Sequence, residues 1–137
     1  MWWIYALLSA VFAAITAVFA KIGIKNINTD LAVAIRTVVI LFLAWAIVFI
    51  RGGISSIGTL TKFNFLFLVL SGITTGLSWI FYFRALETGK VSQVAPIDKL
   101  SLALTIIFAV IFLGESIDTK TAIGASCIVI GTIIIIL

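Results

Sequence analysis

The chain has 137 residues, of which 64% are hydrophobic and 10% charged, with a mean hydropathy of +1.37 and a formal net charge of +4. Soluble domains are roughly 45 to 50% apolar and about 25% charged, so the composition excludes an ordinary soluble protein and marks an integral membrane one. With one Cys, one Pro and no His, it also excludes a disulfide framework, a Cys/His zinc site and histidine acid–base catalysis.

Five apolar segments follow one another at residues 2–20, 31–50, 63–83, 91–113 and 121–137. At about 1.5 Å per residue, each reaches about 25 to 35 Å, enough for a hydrocarbon core of roughly 30 Å. The predicted fold class is therefore all-α, with five transmembrane helices in one domain over residues 1–137.

The first segment opens Met-Trp-Trp, and Trp2, Trp3 and Tyr5 read as anchors at the membrane interface. Val18-Phe19-Ala20 before Lys21 imitates a signal-peptide cleavage site. The positive leader is missing and the apolar stretch is too long, so a retained helix is expected. Ala6, Ala10, Ala13, Ala17 and Ala20 form a small-residue stripe along it, the kind of surface that lets membrane helices approach closely. A turn with Asn26, Asn28 and Asp30 leads into the second segment. There Arg36 lies about 8 Å beyond Leu31, free either to snorkel to the surface or to turn inward.

Gly52-Gly53, Ser55-Ser56 and Gly58 mark the next junction. In the third segment Gly72 and Gly76 make a GxxxG step, while Ser71, Thr75, Trp79 and Tyr82 share a polar, aromatic face. Arg84 follows at its end. The fourth segment holds the oddest residues, Pro96, Asp98 and Lys99, with Asp98, Ser101 and Thr105 on one face. Two readings stand open here. Pro96 can be the first residue of a shorter helix whose free amides Asp98 answers, or it can kink a continuous helix. Lys99 fits poorly beside a positive helix end. Being about 100° apart on a helix, Asp98 and Lys99 are expected to face different surroundings rather than each other. The fifth segment carries Gly124, Gly131 and Cys127, the last read as a small hydrophobe.

Loop charges are nearly balanced. Arg51, Lys62 and Lys120 fall on one side, and Lys21, Lys25, Arg84 and Lys90 on the other. The amino terminus evens the count, so the positive-inside rule gives no orientation. That balance suits a chain inserting both ways and pairing with itself upside down. Arg36, Arg84 and Lys99 belong topologically to one side, with Asp98 the acid at comparable depth, which predicts a compact charge network. The polar faces with their aromatic rings suit an amphipathic or cationic solute held by stacking and cation–π contacts. Back-bonding of the hydroxyls and interfacial anchoring of Trp79 and Tyr82 are the plainer alternatives.

The run Ala85-Leu86-Glu87-Thr88-Gly89-Lys90-Val91-Ser92-Gln93-Val94-Ala95-Pro96, then Phe112-Leu113-Gly114-Glu115, Gly124 and Gly131, resembles the EamA domain of the drug/metabolite transporter superfamily. The resemblance is continuous from the third helix to the C-terminus and weaker over the first two. It implies a multi-pass protein of the plasma or prokaryotic inner membrane, half the size of relatives with ten helices in two inverted halves. An antiparallel homodimer, or a heterodimer with a related half-size protein, would complete that number. Four-helix exporters of the same superfamily use a membrane-embedded Glu in their first helix; here residues 4–20 contain no acid.

The expected function is secondary transport of a small-molecule solute across the lipid bilayer. Asp98, Lys99, Arg36, Arg84, Ser101, Thr105, Thr75, Trp79 and Tyr82 are the candidate binding or gating residues, and Pro96 the helix break. Movement of a lipid-linked or phosphate-bearing substrate, and a non-transporting assembly subunit, are the alternatives. No catalytic residue, metal site or cofactor is expected, because no nucleophile–base pair or ligand cluster is visible. Nor is nucleic acid expected as a partner, there being no basic run.

Overall fold

The computed structural model describes residues 1–137. The chain is helical throughout: α1 (Trp2–Gly23), α2 (Thr29–Ile50), a 3-10 helix (Gly53–Thr59), α3 (Lys62–Thr88), α4 (Val91–Asp98), α5 (Leu100–Leu113) and α6 (Thr119–Ile136). Five stretches are long and apolar enough to cross a membrane: α1, α2, α3, Val91–Leu113 and α6. They match the five apolar runs, with half of the ends one to five residues further out. Polar end residues such as Lys21, Asp30 and Arg84 continue the backbone hydrogen-bond ladder past the apolar stretch, as the absence of competing water in hydrocarbon requires.

Two compact units make up the chain, residues 19–87 and residues 1–18 with 88–137. In the first, Asn28 starts α2. Its Oδ1 accepts from the amides of Asp30 at 2.8 Å and Leu31 at 3.1 Å, satisfying two of the free donors at the helix start. Asp30, in the first turn, adds a negative charge where the helix dipole favours one. Gly52 stops α2 in the left-handed region at φ 70°, where a side chain would be strained. At the far end of α3, Lys21 donates to the carbonyl oxygens of Leu86 and Glu87, placing a cation on the negative end of that helix. The buried residues Ala20, Ile24, Thr29, Val33, Phe83 and Leu86 all belong to this side, where α1 and α3 end and α2 begins.

The other unit contains the helix break. The chain is interrupted at Lys99 and not at Pro96, which lies inside α4. Proline withholds the amide that would bond to the carbonyl of Ser92. Three residues later the backbone tightens: the Lys99 amide reaches the Pro96 oxygen at 3.0 Å and the Leu102 amide reaches the Lys99 oxygen at 3.0 Å. Both bonds span three residues, the spacing of a 3-10 turn. From α6 the buried Thr132 hydroxyl lies 2.8 Å from its own Ile128 oxygen and 3.3 Å from the Pro96 oxygen, joining the two elements at the break. The alternatives left open by the sequence resolve into an interrupted helix, but one that Asp98 does not cap.

Leu113-Gly114-Glu115, singled out by the sequence, is a helix stop. Gly114 sits at φ 68°, and the amides of Gly114 and Glu115 return to the Val110 and Ala109 oxygens at 3.2 and 3.3 Å. Asp118 then caps α6. Its carboxylate accepts from the Thr121 amide at 3.1 Å, and hydrogen bonding from the Thr121 side chain, with that amide second, holds its pKa below the ordinary carboxylate value.

Gly114→Ala is expected to lower stability by about 1 to 2 kcal/mol, the cost of forcing a Cβ into the left-handed region, and Gly114→Asn by less. Unfolding in mixed micelles followed by circular dichroism reads the difference; equal stability for the three proteins would refute the helix-stop assignment.

Candidate functional site

Arg36 stands seven residues into α2, and Trp79 nine residues before the end of the antiparallel α3, so the two enter the membrane from the same side to similar depth. The guanidinium carbon of Arg36 lies 3.3 Å from the centre of the Trp79 ring and 5.8 Å from that of Phe83. Trp79 and Phe83 are four residues apart and share a face of α3, with Tyr82 beside them. Trp79 meets Tyr82 at 5.6 Å and Phe83 at 5.9 Å, both edge to face, which fixes the plane the guanidinium rests on. Arg36 and Trp79 are half-buried and Phe83 is buried. No carboxylate pairs with Arg36: the two ion pairs of the chain join Arg84 to Asp30 and Lys99 to Asp98.

Arg84, near the end of α3, meets both oxygens of Asp30 through Nη2, at 3.2 and 3.1 Å. Both side chains are more than half exposed, so the pair contributes little to stability by itself. It does take the carboxylate that would otherwise stand nearest to Arg36 in sequence on α2. In the other unit, Asp98 and Lys99 pair with each other at 3.2 Å, contrary to the expectation that they face apart. The 100° step assumed a regular helix. At Lys99 the backbone has ψ −9°, and the long side chain folds back to its neighbour.

The charged residues of the expected network each have a partner within their own unit. Arg84 takes Asp30, Lys99 takes Asp98, and Arg36 rests on an aromatic ring. Of the polar faces, Thr75 donates to the Ser71 oxygen at 2.7 Å and Thr105 to the Ser101 oxygen at 2.8 Å, so both hydroxyls are satisfied within their own helices. Ser101 and Thr105 are exposed. The chain's own cation, Arg36, occupies one face of the Trp79 ring.

Asp30 and Lys21 were missed as structural partners by the sequence reading. The signal for Asp30 was local: an Asn two residues before it is a helix cap, which moves Asp30 out of the loop and into the first turn of α2.

The family model of the EamA-like transporter family matches residues 1–137. A Sinorhizobium sp. protein described as an uncharacterized transporter in the cobO 3′ region is 48% identical over 134 residues, 98% of this chain and 95% of that protein. No solved structure matches the chain. Five membrane-spanning helices, the Leu-Gly-Glu helix stop and a match over the whole length place this multi-pass membrane protein in the EamA-like transporter family.

Proposed function

We propose that the chain is a secondary transporter of a small metabolite, working as an antiparallel homodimer with a solute site on the α2–α3 face that carries Arg36, Trp79 and Tyr82. The family supports transport, and the relative's description agrees with it. The observation that carries the site is the half-buried arginine in an apolar span with no carboxylate opposite it. A charge in that position is costly unless it is paired or used, and transporters keep such charges for their solutes.

Two observations favour a second copy. A Cβ added at Gly72, Gly76, Gly124 or Gly131 would meet no atom within 4 Å, so the small-residue steps of α3 and α6 do not serve close packing within the chain. The spans bury at most 11% of their residues internally, leaving most of their surface to lipid or a partner. The even loop charges permit either orientation, and an upside-down copy supplies the inverted repeat that larger transporters encode in one chain. The groove of about 310 Å³ between α2 and the 3-10 helix, lined by Leu41, Trp45, Val48 and Ile57, is apolar and open. Ser56 contributes the one hydroxyl of its lining, which leaves little to orient a hydrophilic solute.

Purified protein in liposomes should take up at least one small metabolite in a concentration-dependent way. If members of every solute class fail to move while the protein co-purifies with a larger membrane partner, it is an assembly subunit instead. Cysteine labelling from each face should find both orientations, and one orientation alone would remove the antiparallel arrangement. Gly72→Leu with Gly76→Leu should shift the dimer towards monomer at least tenfold while leaving helix content unchanged. An unaltered dimer would clear α3 of any part in the contact.

A further inference from the structure

The stack of Arg36 on Trp79 defines the chemistry of what binds there. A guanidinium is planar, with five N–H donors in its plane and none on its faces. In this chain one face lies on the indole at 3.3 Å, and Arg36 makes neither an ion pair nor a hydrogen bond to the chain, the Tyr82 phenol being the polar side chain that acts on it electrostatically. The stack therefore satisfies the part of the group that cannot donate and leaves the donating edge available. Donors left unpaired at that depth are costly, so an acceptor from outside the protein is called for.

We propose that the edge of the Arg36 guanidinium is the receptor for an oxyanion, a carboxylate or a phosphate, carried by the transported solute or by a lipid head group. The inference rests on the solute site proposed above and names its ligand chemistry. Three features favour an oxyanion over a cation or a neutral group. Planar two-pronged acceptors match the guanidinium fork, which grips carboxylate and phosphate through two parallel bonds. The neighbouring charges cancel: Arg84 and Asp30 neutralise each other, so the charge left at the site is that of Arg36. Arg36 already lies over one face of Trp79, so a cation approaching the ring there meets a like charge. The ring also holds the fork in one plane. Tyr82 and Phe83 brace the indole, so little side-chain freedom remains to be lost when an oxyanion docks.

The test is binding, which is independent of transport. The full-length protein in a maltoside detergent, free of phosphate and carboxylate, is titrated with succinate, inorganic phosphate and the neutral succinamide, reading tryptophan emission. Trp79→Phe assigns the signal to Trp79. Succinate or phosphate should give a saturable change that succinamide does not give. Arg36→Gln should raise the midpoint at least tenfold. Arg36→Lys should raise it about threefold or more, because an ammonium keeps the charge but lacks the fork. The lysine variant decides the matter if the glutamine variant loses its helical spectrum. A response to phosphatidylglycerol micelles that free anions neither produce nor displace supports the oxyanion site and assigns it to a lipid head group. A response to free anions assigns it to a solute. No saturable response to any of these anions, or an unchanged midpoint in a folded Arg36 variant, overturns the proposal. Flux without anion binding would sink the oxyanion site and leave the transporter, whereas anion binding without flux would do the reverse.

Discussion

Hydrocarbon offers no partner to a polar group, so each such group in a membrane span must find one within the protein or keep one for a ligand. The architecture of this chain follows from how that demand is met. The helices satisfy their own backbones, and their ends are closed individually: Asn28 and Asp118 on the starts of α2 and α6, Gly52 and Gly114 on the ends of α2 and α5, Lys21 on the end of α3. Among the charges, Asp30 takes Arg84 and Asp98 takes Lys99. Arg36 is settled differently, by the face of an indole, and that difference gives the α2–α3 face a chemistry the rest of the chain lacks.

Outer surfaces carry the complementary message. Chains that fold alone in water do not leave such large apolar areas uncovered, and here nearly all of each span is uncovered. Lipid accounts for much of it. Glycines with open space above them mark where another helix backbone can come close, and an inverted second copy would bring them a partner at the cost of no extra sequence.

How far the sequence spoke depends on the range of the interaction. Five apolar runs of membrane length sufficed for the helices, since the bilayer imposes their length and composition directly. Arg36 and Trp79 were both visible as odd residues, but their contact depends on how α2 is rotated against α3, which hydropathy does not encode. Arg84 and Asp30 lie 54 residues apart and meet only because the topology returns α3 to the side where α2 begins. The effect of Pro96 was legible in kind and not in place. Removing one amide loosens the ladder, yet the chain breaks at Lys99, where a tightened turn can still bond back to the Pro96 oxygen, the same oxygen that Thr132 of α6 approaches. That displacement is also why Asp98 and Lys99 meet despite sitting on nominally different faces.

The chemistry of the α2–α3 face depends on Trp79 holding Arg36. A double-mutant cycle with Arg36→Gln and Trp79→Leu, measured as unfolding free energy in mixed micelles, isolates that contact. A coupling of about 0.5 to 2 kcal/mol is predicted, the range for a cation over an indole from exposed to desolvated settings. Strict additivity of the two substitutions would show that the guanidinium gains nothing from the ring and contradict the assignment of Trp79 as the partner of Arg36.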